Sequence, residues 1–295
     1  MINRVTQQTI QRTTLANLQV NLGRMAELQG RMSGGKVITK PSDDPSGTGQ
    51  AMEVRAERRA AEQFARNADD GVGWLSTVDT ALQTSVAALR QARDLTVRGA
   101  NDGTLSPIAR EAIAVELTGI RDSLLDQANT RYNGRFVFAG TSNESQVFAP
   151  GDYAWQGSTT GSVERRLGPD HTVRVDQDGA AAFGDGDGSV FKLIDDIVTD
   201  LRNGVDVSGR LGQIDGRMNA MLGELAGVGT RHNQVMDAQS TLKKTTMDLS
   251  SQLSAIEDID LAEIILELQM QEVAYQGALG ATARVLQPSL MDFLR

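Results

Sequence analysis

The sequence predicts a mainly α-helical fold, a long antiparallel, coiled-coil-like bundle formed by the N- and C-terminal segments, with a small β-rich domain inserted in the middle. Three observations predict it. The six prolines stand at 41, 45, 107, 150, 169 and 288, which leaves long spans free of the residue that interrupts a helix. Apolar residues recur at alternating three- and four-residue spacing near both ends of the chain. Eight of the twelve aromatic residues fall between Tyr132 and Phe191, among glycines and short alternating runs of strand character.

The first helix is carried by Leu15, Leu18, Leu22, Met25 and Met32, a stripe broken only by Gln29. It ends in GGKVITKPSDDP, residues 34 to 45, a stretch that reads as a bend or hinge. Gly34 or Gly35 supplies the left-handed position after the helix, with Lys36 and Lys40 near its negative end. Pro41 and the Asp43-Asp44 pair follow, and Asp44 before Pro45 is an N-cap followed by proline at the first helical position.

A helix over about 45 to 100 is expected next, with Phe64, Ala68, Leu75, Val78, Leu82, Leu89 and Ala92 on one face and Asn101-Asp102-Gly103 as its stop. Ser106-Pro107 opens another, to about 132, so the two make a helical hairpin. The runs Arg135-Phe136-Val137-Phe138 and Thr172-Val173-Arg174-Val175 mark the β-rich insert. Val190, Leu193, Ile194, Ile197 and Leu201 place a helix over 189 to 202, and a long helical stretch follows over about 209 to 256. Asp260-Leu261-Ala262-Glu263 has capping-box spacing, at the start of the last helix or within it. That helix carries Leu261, Ile265, Leu268, Tyr275, Leu279 and Leu286, with Glu272 and Thr282 as polar interruptions. The expected division is 1–40 with 257–295 as paired terminal helices, 41–133 with 189–256 as helical body, and 134–188 as insert.

Composition excludes several function classes. A net charge of −9 disfavours nucleic acid and acidic membrane surfaces as partners. With no cysteine there are no disulfides, thiolate metal sites or cysteine nucleophiles. The start lacks the apolar core of a cleavable signal peptide, and no window of about 18 apolar residues offers a membrane span.

The motifs that suggest chemistry are weak in context. Gly30 to Lys36 fits GxxxxGK, but Val37 stands where a phosphate loop needs Ser or Thr, and a helical run precedes it. Asp185-Gly186-Asp187-Gly188-Ser189 lacks the EF-hand glycine, with Val190 in its place, and reads as a polar turn. Asn143-Glu144-Ser145 is a glycosylation sequon without a secretory signal. His171 and His232 stand alone, and no paired nucleophile and base emerges. No catalytic residue, cofactor or metal is expected.

Five motifs in order carry a family resemblance. They are Leu28-Gln29-Gly30-Arg31-Met32-Ser33-Gly34-Gly35-Lys36-Val37 with Pro41-Ser42-Asp43-Asp44-Pro45-Ser46-Gly47, then Arg66-Asn67-Ala68-Asp69-Asp70-Gly71, Gly227-Val228-Gly229-Thr230-Arg231-His232-Asn233-Gln234 and Glu257-Asp258-Ile259-Asp260-Leu261-Ala262-Glu263. With helical ends around a β insert, the chain resembles the bacterial flagellin superfamily. Three places resemble members that join hook to filament: Lys36 to Pro45 with its extra proline, Tyr132 to Thr141, and the ending Ser289 to Leu294. Ser46-Gly47 departs toward filament flagellins.

The resemblance implies a structural protein of the flagellum, at the junction between hook and filament, that self-associates in a ring. Its implied axial neighbours are the first hook-associated protein and flagellin, and the export apparatus and an export chaperone are further implied partners. Secretion to the flagellum without a cleaved signal is implied too. A short filament flagellin is the alternative. A coiled-coil adaptor or signalling protein explains the repeats but neither the β insert nor the motifs at both ends. The implied assembly interface is Leu15, Leu18, Leu22 and Met25 with Leu261, Ile265, Leu268 and Leu279. An isolated amphipathic helix is marginal in water, so burial of the Leu15/Leu18/Leu22 stripe against Leu261/Ile265/Leu268, at about 25 cal/mol per Å² of apolar area, would stabilise both.

Overall fold

The computed structural model of the chain describes residues 7–100 and 106–286. Seven α-helices occur among them: α1 (Gln7–Gly34), α2 (Pro45–Ala100), α3 (Pro107–Ala128), α4 (Gly179–Phe183), α5 (Val190–Asn203), α6 (Leu211–Glu257) and α7 (Leu261–Leu286). Two antiparallel hairpins supply the β structure, β1 (Arg131–Tyr132) with β2 (Arg135–Phe136) and β3 (Glu164–Arg166) with β4 (Thr172–Arg174). The chain divides into two compact units. One takes the described residues up to Arg59 and from Met247, and the other is Ala60–Thr246.

Helix starts follow the capping chemistry. Ser106 accepts from the Ala109 amide at 3.2 Å ahead of Pro107, and Ser189 accepts from Lys192 N at 3.2 Å. Helix α3 ends at Ala128, short of the expected 132, because Arg131 and Tyr132 enter the first hairpin. Its turn is Asn133-Gly134, both residues left-handed, the geometry that a two-residue turn between twisted strands requires. The expected stop at Asn101-Asp102-Gly103 and the ending Ser289 to Leu294 lie outside the described residues.

The core of the Ala60–Thr246 unit is mainly apolar. Of the face expected on α2, Ala68, Leu75, Val78, Leu82, Leu89 and Ala92 are fully buried and Phe64 is half-buried. Leu117 and Leu124 of α3 and Ile194 and Ile197 of α5 belong to the same cluster. On α6, Ile214, Met221, Val228 and Val235 are fully buried at seven-residue intervals, a coiled-coil repeat not anticipated from the sequence. His232 falls on that seam, half-buried, its Nε2 without a hydrogen-bond partner.

The insert is held by aromatic packing more than by strands. Phe138, Phe148 and Phe183 gather around Phe191 of α5, with ring centroids 5.2 Å apart for Phe148 and Phe191 and 5.1 Å for Phe138 and Phe183. Each such pair adds about 0.5–1.5 kcal/mol beyond the area it buries. Two polar networks complete the packing. Arg121 donates to Tyr153 Oη and Asp195, each at 2.8 Å, while Tyr153 Oη donates to Asp195 at 2.7 Å. Asp176, fully buried, accepts from Arg174 and from the Val163 amide, and Arg231 of α6 donates to its carbonyl.

Candidate assembly interface

Within the terminal unit, α1 and α7 pack against each other antiparallel. The half-buried positions of α1 include Thr14, Leu18, Asn21, Met25 and Leu28, with Arg31 beyond them, and those of α7 are Leu268, Gln271, Tyr275, Ala278 and Thr282, beyond a buried Ile264. Both sets keep a strict three-and-four spacing, so each forms one seam. Across the seam Gln271 Nε2 donates to the Asn21 carbonyl at 3.3 Å.

This seam differs from the expected pairing. Leu18, Met25 and Leu268 lie on it, but Leu15 (60% exposed), Leu22, Leu261 (55% exposed), Ile265 and Leu279 face outward. In the α1–α7 seam, Leu15 and Leu22 therefore do not pack against Leu261 and Ile265. The physical reason is that Thr14, Asn21, Gln271 and Thr282 occupy seam positions, and a search for apolar residues alone slides onto the neighbouring leucines. Val20, Leu266, Met270 and Val273 are exposed as well. On α7, Leu266, Met270 and Val273 share the side opposite the seam by helical periodicity.

The local chemistry of the bend decides between the two glycines that could take the left-handed position. Gly35, not Gly34, takes the left-handed conformation (φ 66°) beyond the end of α1. Asp43 closes the next turn, one carboxylate oxygen accepting from Thr39 Oγ1 at 2.8 Å, from Lys40 N at 2.8 Å and from Thr39 N at 3.1 Å. The Thr39 hydroxyl and then the Lys40 amide hold the Asp43 carboxyl below its ordinary value. Asp44 caps α2, accepting from Ser46 N at 3.0 Å and Gly47 N at 2.9 Å, and Pro41 lies exposed in the turn. A Cβ at Gly47 would stand 2.4 Å from Asp44 Oδ2 and 2.9 Å from Ile38 Cδ1, so any larger residue there displaces the capping side chain.

Lys36 does not serve the helix end as expected. Its ammonium reaches Glu257 at 2.5 Å, and Arg55 meets the other oxygen of the same carboxylate at 2.6 Å. The Glu257 side chain is 3% exposed. Burial pushes its carboxyl up, but the hydrogen bonds and charges of Lys36 and Arg55 outweigh burial and hold it below its ordinary value of 4.5. The backbones pair too: Val37 N donates to Glu257 O at 2.7 Å and Ile259 N to Gly35 O at 3.3 Å. Asp260 then caps α7 through the amides of Ala262 and Glu263, so the capping-box motif starts the last helix. Single-sequence reading missed this cluster because its members lie far apart in the chain. The available signal was that Lys36 and Glu257 each sit in one of the five motifs.

Nothing in this geometry is arranged for catalysis. Gly30 to Gly34 are helical, which removes the phosphate-loop reading, and Asp185 accepts from Trp155 N at 2.8 Å as a turn residue. Among the described residues no group of three or more His, Asp or Glu side chains is placed to hold a metal ion. A cleft of about 580 Å³ beside Asp187 and Arg217 also contains Arg210, which is bonded to Asp200 at 3.0 Å.

The sequence matches the bacterial flagellin N-terminal helical region over residues 5–143 and the bacterial flagellin C-terminal helical region over 211–294. The chain belongs to the bacterial flagellin family. In this flagellin-family chain the matched stretches contain α1, α2, α3, α6 and α7, and most of the insert lies in the unmatched stretch between them. It is 26% identical over 301 residues to flagellar hook-associated protein 3 of Salmonella typhimurium, covering 93% of this chain and 94% of that protein. It is 24% identical to flagellin of Bacillus subtilis, covering 93% of each. The crystal structure of the flagellar junction protein FlgL from Legionella pneumophila superimposes with a TM-score of 0.58 at 16% identity, over 72% of this chain and all of that one. The chain is thus a structural component of the flagellum rather than an enzyme, and the adaptor reading falls away.

Proposed function

We propose that this chain is the junction subunit between hook and filament. Its similarity to hook-associated protein 3 of Salmonella typhimurium over almost the whole of both chains carries the reading. In it, copies of the chain form a ring, with the first hook-associated protein and flagellin as axial neighbours. The subunit reaches that place through the flagellar export apparatus, aided by an export chaperone and without a cleaved signal. The division into paired terminal helices (1–40 and 257–295), helical body (41–133 and 189–256) and insert (134–188) is proposed as the division of labour in the assembly.

The outward apolar residues give the mechanism. Leu15, Leu22, Leu261, Ile265 and Leu279 are exposed in the single chain, and burial against neighbouring copies would stabilise assembly by about 1.5–3 kcal/mol for each side chain fully covered. Leu18, Met25 and Leu268 hold the pair that presents them.

Antibody labelling of intact flagella, with quantification against the main filament subunit, tests the proposal. A minor component confined to the hook-proximal end is the expected result. Labelling along the whole filament in bulk would make the chain a short flagellin, the second reading, which its similarity to flagellin of Bacillus subtilis favours.

A further inference from the structure

The seams of α1 and α7 do not by themselves determine how the helices align. On α1, Leu18 and Met25 are seven residues apart, as are Thr14, Asn21 and Leu28; on α7 the same holds for Leu268, Tyr275 and Thr282. Sliding one helix by seven residues therefore leaves a seam of similar composition, with half-buried side chains again facing half-buried side chains. A separate feature must choose among these alignments.

We propose that the buried Glu257 clasp sets the register of the α1–α7 pair and starts its pairing. Lys36 and Asp258 form an antiparallel bridge between the segment that follows α1 and the segment that precedes α7, with Lys36 and Arg55 closed onto the Glu257 carboxylate. From that bridge, fifteen residues back along the chain reach Asn21, and thirteen forward reach Gln271, the two residues hydrogen-bonded across the seam. The offset laid down at the clasp is thus kept to within two residues, well inside the seven of one slip. A buried carboxylate with two cationic partners disfavours a slip, because displacing Lys36 strips one partner from it. Asn21 and Gln271 act as a weaker second check farther along. The inference holds whether the subunit sits at a junction or along a filament.

Disulfide trapping in the full-length chain tests it, since the absence of native cysteine means that any cross-link reports the introduced pair. Met25→Cys with Leu268→Cys reads the observed register, and Leu18→Cys with Leu268→Cys reads a seven-residue slip. The observed-register product is expected to dominate in the otherwise native chain. Glu257→Ala, which removes the acceptor of both Lys36 and Arg55, is expected to lower the ratio of observed to slipped product about tenfold. Lys36→Met, which leaves Arg55 on the carboxylate, should lower it about threefold without leaving the buried charge unpaired. A fall in either variant supports the clasp. A ratio unchanged in Lys36→Met, with Glu257→Ala unchanged or unfolded, overturns it.

Discussion

The two units solve the burial problem differently. In the Ala60–Thr246 unit the inward residues are leucines, isoleucines, valines and phenylalanines, many with no exposed surface. In the terminal unit the α1–α7 seam is half-buried and partly polar, and several of the largest apolar side chains face outward. The first unit buries most of its apolar surface within the chain, although Ile108 and Val115 stay exposed, whereas the second leaves much of its helix pair open to water. Under the proposed function, neighbouring copies cover the second.

Substitutions that separate the units sharpen this comparison, and the largest effect belongs in the finished core. Phe191→Ala should lower the unfolding free energy of the Ala60–Thr246 unit by about 3–5 kcal/mol, measured by urea denaturation, because Phe191 joins the aromatic cluster of the insert to α5. Removal of the α2 cap by Asp44→Ala should be milder, about 1 kcal/mol, and confined to the terminal unit, as read by protection of the first α2 amides. The smallest effect on the monomer is expected at Ile265→Asp, within about 0.5 kcal/mol, because that side chain already meets water. The same variant should nevertheless abolish assembly in a polymerisation assay, and normal assembly would break the comparison. Leu18→Asp should abolish assembly as well, but by opening the seam within the chain.

Acid gives a further separation. The Glu257 carboxyl is held below its ordinary value of 4.5, so the folded state binds fewer protons there than the unfolded chain. Its contribution is fully present above that value and is lost as pH falls through the lowered folded value. Limited proteolysis from pH 6 to 3 should therefore expose the α1–α7 segments at a higher pH in Lys36→Met than in the native chain.

Most helix limits were legible because proline and capping residues act locally. Asp44-Pro45 and Ser106-Pro107 each start a helix where the sequence placed one, and Asp260 starts the last helix, one of the two positions its motif allowed. The core face of α2 was legible because its apolar stripe has few polar interruptions. The seam of the terminal pair was not, because Asn21 and Gln271 face inward while Leu15 and Leu22 face out, a choice made by the partner helix rather than by hydropathy. The Glu257 clasp was hidden for a different reason: Lys36 and Glu257 are 221 positions apart, and either one alone reads as an ordinary surface charge.

Hydrogen–deuterium exchange on the free subunit and on the assembled form tests most directly the claim that one unit is finished and the other is not. Slow exchange is predicted for the amides around Leu82, Leu89 and Val228 in both states. Those around Leu18 and Leu268 should exchange rapidly in the free subunit and slow by at least about a hundredfold on assembly. Equal protection of α1 and α7 in the free subunit and in the assembly would contradict the account.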